Sequence, residues 1–531
     1  MRKTLPLQRV SSARELWPGA RAALAAAAPL LLLAAAVYLG LFYELGGPPL
    51  FDVDEGAFSE ATREMLQRGD FVTTWLNGQL RFDKPILVYW LQALSVTLFG
   101  VNEFAFRLPS ALAGLGWIAA IHAFARAQYG RATGYAAALI AATTLGLCVI
   151  ARGAIADALL NLFLALTMFD IYRYLVQPRV RYRNRAYLWI GLGLLTKGPV
   201  AILVPFAASG IAYALHGQWR RWRRAVFDPA GWLILGAVAG PWYVLEYLRE
   251  GDAFIAGFFM RHNVERFMGP LQGHGGKFFY YVPVVLLMLL PYTGLLLRTL
   301  PGLLRLRSRP LDTFLWCWFL FVFLFFSFSG TKLPHYLMYG ITPLFLLMAS
   351  HRQQLASRWL AFTPPVLLLA IVVALPHALQ RAAPALRDQY FRDMFARADV
   401  FGPLWRLAAV CLLLAGLALA LWPRARIWPR LLASGFLCSF AVVGLVLPAA
   451  AELQQGPVKE AAQLVRSARL PVRTWQFNVP SFSVYRQAVT KPATTLHPGE
   501  LILTRSDKLA GMGPAEVVYR KGGVVLARIP M

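Results

Sequence analysis

The sequence contains few charged residues and few cysteines, and each shortage excludes a class of protein. Only 15% of the 531 residues are charged, while 58% are hydrophobic. A soluble protein cannot bury so much apolar surface, so the composition excludes a soluble multi-domain enzyme. The four cysteines all lie inside apolar segments without metal-ligand spacing, which argues against a disulfide framework and against a zinc site.

Acidic residues are also scarce, since 26 Asp and Glu stand against 53 Lys and Arg. In a soluble protein the resulting net charge of +27 would suggest a nucleic-acid partner. Here the arginines form short clusters between apolar runs, and that pattern indicates membrane topology. We therefore predict no nucleic-acid partner, and membrane lipids as the surroundings of the chain.

Apolar runs recur from residue 23 to residue 447 and predict an all-α polytopic membrane protein. A spanning helix needs about 20 apolar residues to cross a hydrocarbon core of about 30 Å. Basic loops placed in the cytoplasm predict about 13 spans, with the N-terminus cytoplasmic and the C-terminus outside. The first apolar stretch resembles a secretory signal, but it continues through Leu41 and Phe42 and favours an uncleaved span. The predicted spans lie near residues 23–42, 107–125, 133–151, 157–176, a hairpin at 186–216, 229–248, 278–298, 311–328, 336–350, 359–376, 403–422 and 430–448.

Two long loops are predicted on the outer side of this transmembrane domain, which covers residues 1–450. Loops 43–106 and 249–277 are mixed in charge and rich in aromatic residues. Long loops of this kind commonly carry function. Within the first loop, the apolar segment Ile86–Gly100 is too short to span and is predicted to lie along the outer interface.

Hydrophobicity falls near the end of the chain, and residues 451–531 are predicted to form a small soluble α/β domain outside the membrane. The pattern predicts a helix over Lys459–Ser467. It predicts strands near Val484, over Glu500–Thr504 and within Val517–Ile529, where the chain folds at a pair of glycines.

Ionisable groups gather in the segments predicted to face outside. Each one alone is also typical of a solvated loop, a helix-dipole partner or a snorkelling lysine. Together they supply acids and cations beside apolar surface, where ionisable groups are costly and commonly functional. Cations stabilise the charge that develops when a sugar leaves a phosphate, and the absence of a glycine-rich nucleotide cradle favours a lipid-phosphate donor. The groups are Asp54-Glu55, Asp83-Lys84-Pro85, Asp157, Thr196-Lys197-Gly198-Pro199, Lys332-Leu333-Pro334-His335-Tyr336, and Arg266, His274 and Lys277 in the second outer loop.

The order of these motifs resembles that of the GT-C protein O-mannosyltransferase superfamily, over roughly residues 23 to 350. Its most similar branch is the bacterial 4-amino-4-deoxy-L-arabinose transferases that modify lipid A. The resemblance implies a GT-C fold and Asp54 as the principal catalytic carboxylate, with Asp157 beside it. Glu55 is a further catalytic candidate because it adjoins Asp54 at the outer surface.

The resemblance also implies which residues hold the phosphate of the lipid carrier. Lys84, Lys332 and Tyr336 take that role, with Arg266 or Lys277 assisting. Asp83 and His274 match a divalent-metal pair of the family, so a bound metal is an expectation. The family often has Glu-Lys-Pro where this chain has Asp83-Lys84-Pro85, and the shorter acid is a departure from its pattern.

The function that we expect is transfer of a sugar, 4-amino-4-deoxy-L-arabinose, from a polyprenyl-phosphate carrier to lipid A on the periplasmic side of a bacterial inner membrane. One alternative is a related transferase that moves mannose or another hexose to a protein or glycan hydroxyl. A second alternative is a lipid-phosphate flippase, which would place ionisable residues at mid-membrane depth near broken helices. The absence of an internal repeat disfavours the flippase.

Overall fold

The computed structural model describes residues 17–265, 268–269, 276–305, 309–422 and 424–531. The first half is almost entirely helical, because apolar segments of this length satisfy their backbone hydrogen bonds internally. The helices before residue 270 are Trp17–Val37 continuing as Tyr38–Phe42, Asp54–Arg68, Leu87–Phe99, Glu103–Tyr129, Arg131–Ala142, Leu145–Ile150, Asp157–Val176, Val180–Lys197, Val200–Leu215, Trp219–Val226, Pro229–Glu250 and Asp252–Phe254 continuing as Ile255–Glu265.

The second half continues the bundle and ends in a region with strands. Its helices are Phe278–Tyr280, Tyr281–Met288, Thr293–Thr299, Leu300–Arg305, Pro310–Phe328, Pro334–Gly340, Thr342–His351, Arg352–Gln354, Arg358–Ala382, Ala383–Ala385, Gln389–Phe395, Pro403–Leu421, Ile427–Phe440, Ala441–Val446, Leu447–Gln454, Gly456–Ser467, Pro480–Arg486 and Leu509–Met512. The strands of the chain are Trp75–Leu76, Gln79–Leu80, Val472–Thr474, Leu501–Arg505, Glu516–Lys521 and Val524–Arg528.

Aromatic side chains fill the centre of the helical bundle. The rings of Phe124 and Phe169 stack with their centroids 4.1 Å apart, and Trp318 contacts Phe169 edge-on. The buried indole of Trp117 donates a hydrogen bond of 2.9 Å to the hydroxyl of Thr342, so its polar atom is satisfied. Packing of this kind ties the first helices of the chain to the later ones.

The outside of the bundle is apolar, as expected for a protein surrounded by lipid. Leu233, Leu248 and Leu404 are each at least 74% exposed. Six helices of the described residues are long and apolar enough to cross a membrane, and a bent pair, Phe278–Met288 with Thr293–Leu304, raises that number to seven. The chain is therefore a multi-pass membrane protein. Each predicted span contains a helix, although several of these helices are shorter or less apolar than a complete span.

The outer loops contain structure of their own. Helix Asp54–Arg68 and a short hairpin occupy the loop 43–106, together with helix Leu87–Phe99. Helix Leu87–Phe99 buries Val88, Tyr89 and Ala93 and exposes Leu94 and Leu98, which is typical of a helix lying against a membrane surface.

A four-stranded sheet lies in the C-terminal region. The strand order is Val472–Thr474, Leu501–Arg505, Val524–Arg528 and Glu516–Lys521, with the first pair parallel and the others antiparallel. The helix predicted over Lys459–Ser467 is present as Gly456–Ser467. The strand predicted near Val484 was wrong, because Pro480 is favourable in the first turn of a helix and begins Pro480–Arg486.

Helix Pro480–Arg486 is docked on the segment that leads into helix Asp54–Arg68. The backbone nitrogen of Ser481 donates to Asp52 Oδ1 at 3.0 Å, and its hydroxyl donates to Asp52 Oδ2. The phenol of Tyr485 accepts from the backbone nitrogen of Leu50 at 2.6 Å. Gly56 is required here, since an added Cβ would lie 1.9 Å from Asp52 Oδ1. The C-terminal region therefore holds the start of the Asp54 helix in place.

The stability of this docked region should fall as the pH rises. Burial raises the pKa of Asp52 from 3.8 to about 7, although the hydrogen bonds from Ser481 oppose the rise. Because the folded pKa is the higher one, the proton stabilises the native state below about pH 4, and this contribution is lost as the pH rises through about 7. The melting temperature in detergent should therefore fall between about pH 5 and pH 8. Asp52→Asn, which keeps the acceptor for Ser481, should show a smaller fall.

Glu60 titrates in the same window, because burial raises its pKa to about 7. The measured quantity is therefore the difference between the pH profiles of the wild type and Asp52→Asn. Equal slopes in the two proteins would show that Asp52 does not control the stability of the docked region.

Candidate active site

Glu55 is held in a buried ion pair at the start of helix Asp54–Arg68. Its two carboxylate oxygens accept from Arg107 at 2.8 and 2.7 Å. They also accept from the backbone nitrogens of Phe51 and Ala154 at 2.9 and 2.7 Å. Arg107 extends the contact by donating to the backbone oxygen of Pro48 at 2.6 Å. With its oxygens engaged in this way, Glu55 positions the helix rather than offering a reactive carboxylate.

Asp54 is the exposed first residue of that helix and lines a cavity of about 310 Å³. Arg107 and Arg152 line the same cavity. The pKa of the Arg81 guanidinium is raised, because burial, which disfavours its charge, is outweighed by Tyr89, Asp83 and Asp54. Asp54 therefore stabilises the positive charge of Arg81. Arg81 in turn belongs to the group of charged side chains around Asp83.

Asp157 begins helix Asp157–Val176 and is buried. Its Oδ1 accepts from Lys197 Nζ at 2.7 Å and from the hydroxyl of Tyr339 at 2.9 Å. Lys197 reaches it because helix Val180–Lys197 ends there: Gly198 has φ +79° and lies so close to Phe258 that a Cβ would be 2.6 Å from the ring. The break predicted at Thr196-Lys197-Gly198-Pro199 is thus present, and it delivers a cation to Asp157.

A second cavity of about 200 Å³ lies beside this network. Lys197 and Tyr339 line it, so Asp157 lies directly behind its wall. Lys84 and Tyr336 line it as well, which brings together two residues predicted to hold a carrier phosphate. The full polar lining is Asp83, Lys84, Lys197, His262, Ser329, Tyr336 and Tyr339.

Asp83 is surrounded by cationic groups at the edge of this cavity. It lies 2.6 Å from Lys84 Nζ, 3.0 Å from Arg81 and 3.1 Å from His262 Nδ1. Burial raises the pKa of Asp83, but Lys84, His262 and Arg81 together hold it well below its ordinary value. The carboxylate is therefore charged and paired.

The metal pair of Asp83 and His274 stays a prediction, because His274 lies outside the described residues. Within the described residues, His262 Nδ1 lies 3.1 Å from Asp83 Oδ1. In the described part of the chain no group of three His, Cys, Asp or Glu side chains is arranged to hold a metal ion. Because Lys84 and Arg81 already neutralise Asp83, a metal cation would have to compete with them.

The other residues predicted to bind the carrier phosphate are Lys332, Lys277 and Arg266, and their surroundings differ. Lys332 is buried and donates to the backbone oxygens of Ser327 and Ser329 at 3.0 and 2.5 Å, so it braces the turn that bears Ser329 at the cavity wall. Lys277 is exposed and does not line the cavity. Arg266 lies outside the described residues.

Tyr339, Arg107 and His262 were not assigned to the site from the sequence. Tyr339 follows Tyr336 by three residues in the short helix Pro334–Gly340, where residues three apart share one face. That spacing could have assigned Tyr339 together with Tyr336. Arg107 and His262 left no comparable local signal, because their partners lie far away along the chain.

Removing Lys197 alone should destabilise the protein strongly. Lys197→Met would leave the buried Asp157 with the hydroxyl of Tyr339 as its side-chain hydrogen-bond donor among the described residues, and breaking such an ion pair costs about 3 to 5 kcal/mol. The double variant Lys197→Met with Asp157→Asn removes both charges and should recover most of that loss. The measurement is the melting temperature in detergent. A double variant no more stable than Lys197→Met would contradict a direct pairing.

The chain was compared with known families and proteins. A family model described as dolichyl-phosphate-mannose-protein mannosyltransferase matches residues 83–243. The undecaprenyl phosphate-alpha-4-amino-4-deoxy-L-arabinose arabinosyl transferase of Yersinia enterocolitica is 33% identical over 340 residues, 62% of this chain and 60% of that protein. The protein of the same name from Photorhabdus laumondii is 29% identical over 409 residues, 71% of this chain and 72% of that protein.

The protein of the same name from Aeromonas salmonicida is 32% identical over 322 residues, and the match covers 58% of the length of that protein. Among solved structures, ArnT from Cupriavidus metallidurans bound to undecaprenyl phosphate superposes with a TM-score of 0.76 at 20% identity, covering 94% of this chain and 98% of that one.

Over residues 83–243 the chain is similar to the family of dolichyl-phosphate-mannose-protein mannosyltransferases, in line with the resemblance of its motifs. In sequence it is also similar to the aminoarabinose transferases, and it has the fold of ArnT.

Proposed function

We propose that this protein transfers 4-amino-4-deoxy-L-arabinose from a polyprenyl-phosphate carrier to lipid A, on the periplasmic side of a bacterial inner membrane. The observation that carries the proposal is the cavity of about 200 Å³ in which Lys84, Lys197 and Tyr336 meet. Cations and a phenol directed at one small space suit a phosphate, whose charge increases as it leaves the sugar. The relatives whose names state this sugar and undecaprenyl phosphate support the choice of donor.

The reaction is a single displacement. An oxygen of the acceptor attacks the anomeric carbon of the sugar, the bond from that carbon to the carrier phosphate oxygen breaks, and the phosphate leaves with the electron pair. The configuration at the anomeric carbon is inverted. If the attacking group is a phosphate of lipid A, it is already anionic near neutral pH and no proton has to be removed.

The proposed roles follow from the position of each residue. Lys84 and Tyr336 bind the carrier phosphate, and Lys332 supports them through the turn at Ser329. Asp157, behind the cavity wall, pairs with Lys197 and fixes the direction of its side chain. Asp54, the exposed carboxylate at the cavity of about 310 Å³, orients the acceptor or acts as its base. Arg266 and Lys277 remain proposed assistants from the second outer loop.

The proposal includes a membrane arrangement. Residues 1–450 form the transmembrane domain with about 13 spans, and both outer loops and the region 451–531 face the periplasm. The basic loops on the other side support this orientation. The docking of Ser481 on Asp52 also supports it, because it requires the C-terminal region and the Asp54 loop to share one compartment.

Two other functions fit fewer of these observations. A mannosyl- or hexosyltransferase acting on a hydroxyl would use the same phosphate cavity, and the family model over residues 83–243 carries a mannosyltransferase description. A flippase would bind the same lipid phosphate without breaking a bond. Two distinct cavities with charged linings, one of them lined by Asp54, favour a transferase, which must hold a donor and an acceptor together.

The test is a transfer assay with purified protein in detergent. The donors are polyprenyl-phosphate aminoarabinose and polyprenyl-phosphate mannose, each labelled in the sugar, and the acceptors are lipid A and a hydroxyl-bearing glycolipid without phosphate. We expect labelled lipid A only with the aminoarabinose donor, identified by mass spectrometry. Product with mannose and the glycolipid would support the hexosyltransferase, and donor binding without any product would support the flippase.

A further inference from the structure

Arg152 is a buried cation whose charge is only partly compensated. Its side chain is 6% exposed and lines the cavity of about 310 Å³ that Asp54 also lines. Among the described residues, its Nη1 has no hydrogen-bond partner. A buried guanidinium nitrogen without a partner loses the solvation that it had in water, so it normally indicates a ligand or a strained position.

The neighbouring acids compensate the charge of Arg152 only in part. Glu55 and Glu44 act on it electrostatically, but Nη1 has no hydrogen-bond partner among the described residues, and Glu55 is paired with Arg107 at 2.7 Å. Burial and the repulsion from Arg107 lower the pKa of Arg152 to about 10, which still leaves it charged at neutral pH. The cavity therefore offers one cation with an unused donor, and Asp54 is the exposed acid at its edge.

Arg152 belongs to a different cavity from the one proposed for the carrier phosphate. Arg152 and Ile155 line the cavity of Asp54, while Asp157, two residues after Ile155, pairs with Lys197 at the cavity of Lys84. The two neighbouring cavities therefore have their own cationic groups. A reaction between two lipids that both carry phosphate requires such a pair of sites, one for each phosphate.

We infer that Arg152 binds the phosphate of the acceptor lipid and thereby directs it towards the sugar at Asp54. This inference rests on the proposed function and assigns its acceptor site. The guanidinium supplies paired donors that match the oxygens of a phosphate monoester. Arg107 adds positive charge at the same cavity but is already engaged by Glu55, so Arg152 is the group that responds to the ligand.

The test compares Arg152→Gln and Arg152→Lys with the wild type in the transfer assay, using full-length protein. Arg152→Gln should raise the KM for phosphorylated lipid A by about 10-fold to 100-fold, because a charge-assisted hydrogen bond is lost. The KM of Arg152→Lys for phosphorylated lipid A should lie between those of the wild type and Arg152→Gln, since lysine keeps the charge but lacks the paired donors of a guanidinium. The KM for the polyprenyl-phosphate donor should stay within about twofold, because Arg152 does not line the cavity proposed for the donor phosphate.

A control and a binding measurement keep the outcomes distinct. Arg430→Gln removes another buried arginine, whose Nη1 donates to the backbone oxygen of Leu419 at 2.9 Å and which lines neither cavity. It should leave both KM values unchanged. Wild-type protein without donor should bind phosphorylated lipid A at least about 10-fold more tightly than lipid A stripped of phosphate, with the preference reduced in Arg152→Lys.

The inference is overturned if the wild type transfers sugar but Arg152→Gln keeps its acceptor KM. It is also overturned if donor and acceptor KM rise together, which would assign Arg152 to the carrier phosphate, or if the wild type binds both forms of lipid A equally. If the wild type forms no product, the proposed function fails, and the binding measurement still decides whether the cavity recognises phosphate.

Discussion

Asp54→Asn should lower turnover about 100-fold, because the side chain is placed to orient the acceptor and misplacement by about 1 Å costs that much. The substitution keeps the size of the side chain and removes only its charge. It should preserve the fold, since Asp54 is exposed and Glu55 supplies the buried contacts of this helix. Transfer to lipid A by purified protein, at saturating donor, measures the effect.

The pH dependence separates the two roles proposed for Asp54. A general base for a hydroxyl acceptor would give an acid limb in the pH profile of turnover, and Asp54→Asn would remove that limb. An orienting carboxylate beside an anionic phosphate acceptor would lower turnover by a similar factor across the profile. Transfer at the wild-type rate would exclude Asp54 from both roles.

Asp70→Asn is the matched control for this experiment. Asp70 lies just beyond the other end of helix Asp54–Arg68 and pairs with the half-exposed Arg249 at 2.8 Å. It lines neither of the two cavities. An exposed ion pair contributes little, and turnover should stay within about twofold of the wild type.

Lys84→Gln should lower kcat/KM for the donor by about 100-fold to 1000-fold, because it removes a cation from the site where the phosphate gains charge. The fold should tolerate the change. Asp83, the partner of Lys84, keeps Arg81 at 3.0 Å and is not left as an unpaired buried charge. The measurements are donor kinetics and the melting temperature, and the second should hardly change.

Lys508→Gln serves as the control for loss of a lysine. Lys508 is an exposed residue of the C-terminal region that contacts Asp507 at 3.3 Å, and it lines neither cavity. Its removal should leave donor kinetics unchanged. If Lys84→Gln behaved in the same way, the carrier phosphate could not lie in the cavity of about 200 Å³.

Much of the fold followed from local patterns. The break at Thr196-Lys197-Gly198-Pro199 was visible because glycine and proline end helices, and the structure has it at Gly198. The turn of the last hairpin lies at Gly522-Gly523, as the glycine pair predicted. The prediction at Val484 was wrong because a short apolar run does not distinguish a strand from a buried helix.

The candidate site was predicted in part. Asp157, Lys84 and Tyr336 were implied by the resemblance of their motifs to the GT-C superfamily, and the structure brings all three to one cavity or its wall. The metal pair with His274 could not be judged in the same way, and the histidine near Asp83 is His262. Short motifs indicate which residue types matter, but they carry no information about distant partners.

Composition and motif order were sufficient to predict a multi-pass helical protein with a phosphate-binding outer face, since apolar length and local charge are properties of consecutive residues. Which charges meet was decided by the tertiary structure. Asp157 contacts Lys197 across 40 positions and Tyr339 across 182, and Glu55 meets Arg107 across 52. Such pairs depend on how helices cross in space. A buried charge destabilises the fold unless a partner of opposite charge, from elsewhere in the chain, lies beside it.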